Sequence, residues 1–252
     1  MKAMIVGVLM LGLSPSPGMC YGQEATLQNG LALLERGVNI LEVDPIMEAA
    51  GIFDRISEAG DVRRVARYYH ALAEYRMANI LIETGRRDAV RMLNSAIERL
   101  EGLSEDHPDW AESLALLAGC YGQKISLRPL QAITLGSKFN AAMDRAEELA
   151  PDNPRVVLFR AIGRLNAPGA FGGDREAAMT GFRRADMLFS KQPVAGGDEP
   201  VWGHEDTLAW MGIAWRDAGE TEEARQAFTR VLALNPEYGW VKDILLPGLP
   251  PR

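Results

Sequence analysis

Residues 205–236 read EDTLAWMGIAWRDAGETEEARQAFTRVLALNP. Apolar and small residues recur here in steps of three and four: Leu208, Met211, Gly212 and Trp215, then Ala224, Phe228 and Val231. That spacing belongs to helices buried along one side, not to the alternation of a strand. Two helices are expected, with a break at Ala218-Gly219-Glu220 and an end at Asn235-Pro236. Glycine readily leaves a helix in the left-handed conformation, and proline cannot continue one. The small residues let the two rods approach closely, and Phe228 fills the space beside them.

The same pattern recurs upstream. Counted from Gly173, the residues Ala178, Phe182 and Ala185 stand at the offsets that Ala224, Phe228 and Val231 keep from Gly219. The first helix of that pair is expected over Pro154 to Leu165, with Asn153 as its N-cap and proline at the first helical position. Asp174 is expected to cap the second helix after the tight turn Gly172-Gly173. A third pair sets Leu117, Ala118 and Tyr121 against Phe139, Met143 and Ala146. A fourth sets Tyr68, Leu72 and Tyr75 against Ala89, Leu93 and Ala96, and residues 24–58 suggest one pair more.

Gly212, Gly219, Ala224, Phe228 and Pro236 resemble the tetratricopeptide (TPR) motif, which expects Gly, Gly, Ala, an aromatic and Pro at these places. The resemblance covers most of Asp61 to Pro236, with 154–188 and 205–236 the clearest repeats. It implies an all-α fold of stacked helix–turn–helix pairs, either a right-handed solenoid or a compact bundle with loop insertions. Aligned positions Ala96, Ala146, Ala185 and Val231 lie 50, 39 and 46 residues apart. A regular array repeats every 34, so insertions are expected around Gly122 to Gly136, at 167–172 and from Lys191 to His204. Residues 237–252 follow as a cap, because the end of a repeat stack needs its apolar face covered.

The first residues look like an export signal. Lys2 precedes an uncharged apolar run from Ala3 to Leu13, too short to span a bilayer but suited to a signal peptide. Residues 1–22 are the expected leader, cleaved after Gly22, with 23–252 as one helical domain in the periplasm or outside the cell. Cys20 is not read as a lipid anchor, because Met19 is too large for the residue before a lipidated cysteine. Cys120 is then the single cysteine, and no internal disulfide is possible. The net charge of −7 argues against a nucleic-acid partner.

No catalytic, cofactor or metal constellation stands out. His70, His107 and His204 are the whole histidine supply and fall in three separate elements. Cys120 sits among leucines as a small buried residue. The expected function is therefore non-enzymatic: an exported scaffold that binds a protein or peptide. By analogy with TPR proteins the concave face is the partner site, and in the last repeat it comprises Asp206, Ala209, Ile213, Arg216 and Asp217. The alternative is a periplasmic small-molecule-binding accessory of a transport system. In that reading the inserts at 122–136 and 167–173 meet over a pocket, with Phe171 as a lid. Trp202 and His204 complete a candidate loop edge, Trp202 being either a recognition spot or the anchor of the long loop on the last pair. Arg63, Arg64, Arg67, Arg86, Arg87 and Arg91 are expected to be solvated, with a groove for an acidic peptide end as the sharper alternative.

Overall fold

The computed structural model describes residues 18–58, 63–85, 88–192 and 199–251. The expected leader lies outside these residues as far as residue 17, as do Arg86 and Arg87. The described residues form ten α-helices and no strand. They are α1 (Gly18–Ile40), α2 (Val43–Ser57), α3 (Arg63–Glu83), α4 (Ala89–Asp106), α5 (Ala111–Leu127), α6 (Ala132–Leu149), α7 (Pro154–Asn166), α8 (Arg175–Phe189), α9 (His204–Asp217) and α10 (Thr221–Leu234). Each odd-numbered helix packs on the even-numbered helix that follows, giving five pairs stacked in chain order. The expected cleavage point after Gly22 falls in the first turns of α1.

Local signals set the boundaries. The Asn153 side chain accepts hydrogen bonds from the backbone N–H groups of Arg155 and Val156, and Pro154 opens α7. These satisfy donors that a helix start leaves unpaired. Asp174 caps α8 in the same way through Ala177. Gly219 takes φ +83° in the turn between α9 and α10, a conformation that side chains with a Cβ resist.

Close approach rests on glycine facing an aromatic ring. A Cβ placed on Gly212 would stand 2.3 Å from the ring of Phe228. Gly30 meets Phe53 of its own pair similarly, at 2.5 Å, so the first pair repeats the device with little of the motif left. Ala178, Ala224 and Phe228 are fully buried. Two apolar cores result, one from the first three pairs and one from the last two. Helix α7 divides them: Val156 and Phe159 face the first, Val157, Leu158 and Ala161 the second.

One expected insertion is not a loop. Helix α5 continues to Leu127, a 3-10 turn occupies Pro129–Gln131, and α6 starts at Ala132. The additional residues extend both helices, because Ile125, Leu127 and Leu135 keep packing on the first core.

The stack curls until its ends touch. After α10 the chain forms a π-helical segment, Trp240–Leu245, with Val241 and Leu245 buried in the second core. Asn235 Nδ2 donates to Asn39 Oδ1 at 3.0 Å. A Cβ on Gly239 would lie 2.4 Å from the Asn39 carbonyl oxygen. Val38 of α1 packs against both cores. The result is a closed ring of pairs rather than an open superhelix.

Candidate functional site

Ring closure fills the inner face with buried polar contacts. Arg76 of α3 donates to both carboxylate oxygens of Asp206 in α9, at 2.5 and 2.6 Å. Tyr238 donates its hydroxyl to the same carboxylate at 3.0 Å. Burial by itself would lower the pKa of Arg76, but the adjacent Asp206 carboxylate outweighs it and holds the guanidinium above its ordinary value. A second buried pair joins Arg155 of α7 to Glu112 of α5 at 2.7 Å. Arg155 also donates to the Trp202 carbonyl at 2.8 Å, while Glu112 accepts from the Asn153 side chain at 2.6 Å.

The segment before α9 lies across this face. The backbone N–H of Val201 donates to the Tyr69 hydroxyl at 2.9 Å, and the Trp202 indole N–H donates to the Tyr68 hydroxyl at 3.0 Å. Arg76 sits 4.9 Å from the centre of the Trp202 ring. An indole needs a partner for its N–H when it is buried, and Tyr68 supplies one. Trp202 is thus the anchor of the long insertion, but it binds α3 and α7 rather than the last pair.

Two adjoining cavities remain inside the ring. The larger, about 210 Å³, lies between α1, α3, α9 and the Trp202 segment. The smaller, about 110 Å³, is lined in part by Tyr75, Asn79, Trp210 and Trp240. Arg76, Asp206 and Tyr238 line both and form the partition between them. Of the residues lining the smaller one, Asn79 Oδ1 and Trp240 Nε1 are buried without a hydrogen-bond partner.

The residues expected on an open concave face divide. Asp206, Ala209 and Ile213 are buried. Asp206 is committed to Arg76 and Tyr238, and the other two pack in the second core. Arg216 and Asp217 remain exposed and pair with each other at 3.0 Å. His204 bonds to Asp186 at 2.8 Å and stacks on Phe189, so it fastens α9 to α8. Phe171 is 70% exposed. Of the inserts at 122–136 and 167–173, neither lines the larger cavity, and Gln123 of the first lines the smaller.

Of the arginines considered above, Arg67 pairs with Asp106 at 2.5 Å, Arg64 with Glu199 at 3.5 Å and Arg91 with Asp88 at 3.6 Å. Cys120 is fully buried, and burial pushes its thiol far above the usual range, which suits a packing residue. No group of three or more His, Cys, Asp or Glu able to hold a metal occurs among the described residues.

The most exposed apolar side chains fall at two turns. Gly119 of α5 meets Phe159 of α7, and Gly163 of α7 meets Phe139 of α6. The α5–α6 and α7–α8 turns therefore emerge at the same end of the ring. They expose Leu130, Ile133 and Phe171, the three most exposed large apolar residues described. Lys124, Arg128 and Lys138 flank the first turn, and no acidic residue falls between Glu112 and Asp144. Lys138 is already paired with Glu101 at 3.0 Å. The sequence carried this signal as Pro129-Leu130 and Ile133 within a stretch free of acids, in a chain with 34 of them.

No protein-family model matches the chain, and no curated protein matches it. Solved structures do. The chain is similar to TTC0263, a thermophilic TPR protein of Thermus thermophilus, at 17% identity and a TM-score of 0.56, over 89% of this chain and 95% of that one. It is also similar to the HusA haemophore of Porphyromonas gingivalis, at 21% identity and a TM-score of 0.63, over 81% of this chain and 96% of that one. The fold is TPR-like.

Proposed function

We propose that this TPR-like chain is an exported scaffold that holds a protein partner on its exposed edge rather than in a concave groove. The observation that carries this reading is the inversion of the expected surface. The inner face is occupied by the contacts of Arg76, Asp206 and Trp202, while Leu130 and Ile133, near Lys124 and Arg128 in the chain, stand in water, as does Phe171 in the adjoining turn. Apolar side chains clustered within a polar rim mark interaction sites on soluble proteins. The basic rim favours a partner segment that combines acidic and apolar residues. Export rests on Lys2 and the apolar run Ala3 to Leu13. The haemophore likeness supports no transfer of cargo, because a haem carries two carboxylates and far exceeds a cavity of about 210 Å³ rimmed by Glu35 and Glu205.

The test is a crosslinking pull-down from the exported fraction of the native cell. Leu130→Asp with Ile133→Asp should lose the partner that the unaltered chain captures. Both residues are exposed, so the melting temperature should move by less than the equivalent of about 0.5 kcal/mol. Full capture by that double variant, with loss instead on changing Arg216 and Asp217 to alanine, would return the site to the first helix of the last repeat.

A further inference from the structure

We infer that the larger cavity is a binding site for a small organic cation, an amine carried on a compact apolar body, with Glu205 as its charge partner. This site is separate from the exposed edge and does not depend on it.

The charges of the lining do not cancel. Glu35, Glu205 and Asp206 face one cation, Arg76. Asp206 engages two guanidinium nitrogens of Arg76 and also receives the Tyr238 hydroxyl, so that pair is complete within itself. Glu205 makes no ion pair among the described residues, although it is held partly out of water beside the cavity. Burial raises its carboxyl above the ordinary value, and Asp206 adds to the effect. Its place in the first turn of α9 and its own backbone N–H favour negative charge, and Arg76 and His204 act on it without forming an ion pair with it, each being paired elsewhere. A bound ammonium would supply a direct counter-ion in a site of low dielectric, where the attraction is stronger than in water.

The remaining wall selects the rest of the ligand. Leu31, Leu34 and Leu72 are aliphatic, and Tyr69, Trp202 and Tyr238 contribute aromatic surface. These groups suit a hydrocarbon body and rings beside a cation, not a metal ion seeking further oxygen ligands. An apolar cavity of about 150 Å³ accepts benzene. The 210 Å³ here has room for a ring with a short aminoalkyl arm.

Isothermal titration of the full chain with benzylamine, benzyl alcohol and benzoate tests the assignment, since the three share a ring and differ in charge. Benzylamine should bind at one saturable site at least tenfold more tightly than the other two. Glu205→Gln keeps the size of the side chain and should erase that preference while leaving circular dichroism and melting temperature unchanged. Leu31→Trp, which narrows the cavity without altering its charge, should weaken benzylamine by a similar factor. The assignment is overturned by absence of saturable benzylamine binding or by equal binding of the alcohol. Undiminished affinity in either variant overturns it as well.

Discussion

At the scale of the residue, His70 shows what burial does to a group the chain does not use for chemistry. It lies on α3 with Asp54 at 3.3 Å and Glu74 at 3.7 Å, and Arg99 approaches the same two acids. Burial, assisted by Arg99, lowers its pKa to about 4, against the pull of Asp54. The unfolded chain therefore binds the extra proton between about pH 6.5 and 4, while the folded chain refuses it. This residue's contribution to stability is whole above pH 6.5 and is lost progressively as pH falls toward 4. Glu74 acts in the opposite sense, because burial raises its pKa and acid relieves the cost of its charge. His70→Gln should isolate the first effect. Urea denaturation across this window should show a smaller loss of stability on acidification, by on the order of 2 kcal/mol. An unchanged slope would mean that other groups set the acid limit. Residue-scale features were the most legible ones. The sequence alone marks Asn153 and Asp174 as caps and sets Gly212 beside Phe228, because each acts on neighbours within a few turns.

At the scale of the element, α3 and α9 are joined across 130 positions by Arg76 and Asp206, with side chains about one-tenth exposed. Nothing in a local pattern announces such a partner. On the helix α9 taken alone, Asp206 falls where a repeat protein would present it to a ligand, and only the return of α3 shows that its position is occupied. Breaking one half of a buried pair leaves the other charged and desolvated, which costs about 3–5 kcal/mol. Asp206→Asn should therefore destabilise the fold by roughly that much in chemical denaturation. Arg76→Met combined with Asp206→Leu should recover a large part of the loss, since two apolar side chains need no counter-charge. A double variant no better than the single one would show that Tyr238 and Trp202, not the unpaired charge, dominate. Helix lengths were also hidden. The 50-residue spacing from Ala96 to Ala146 implied a loop, whereas the chain spends those residues on added turns of α5 and α6.

At the scale of the whole molecule, the pairs and their order were readable from small residues at fixed offsets, but the closure was not. Curvature accumulates from packing angles at every interface, and no single motif encodes the sum. Asn39 and Asn235, 196 positions apart, meet only because all the intervening pairs turn as they do. Gly239 is the tightest point of that meeting, with the Asn39 backbone where a Cβ would go. Gly239→Ala should push the two ends apart. Hydrogen exchange at the C-terminal half of α1 should accelerate about tenfold or more, while amides in α5 and α7 keep their protection. Uniform acceleration throughout would show instead that the ring opens only when the entire body unfolds.

The junction between Asn39 and Asn235 also fixes an order of events in the life of the chain. Early pairs hold contacts close in sequence and are free to condense while synthesis continues, domain segments at the N-terminus forming first. The hoop has no clasp until Asn235 and Gly239 have left the ribosome. Until then, Leu31, Leu34 and Leu72 lack the opposite wall that Glu205, Asp206 and Tyr238 supply. A nascent molecule is thus most exposed to proteases and to premature association in the interval before Asn39 is fastened to Asn235.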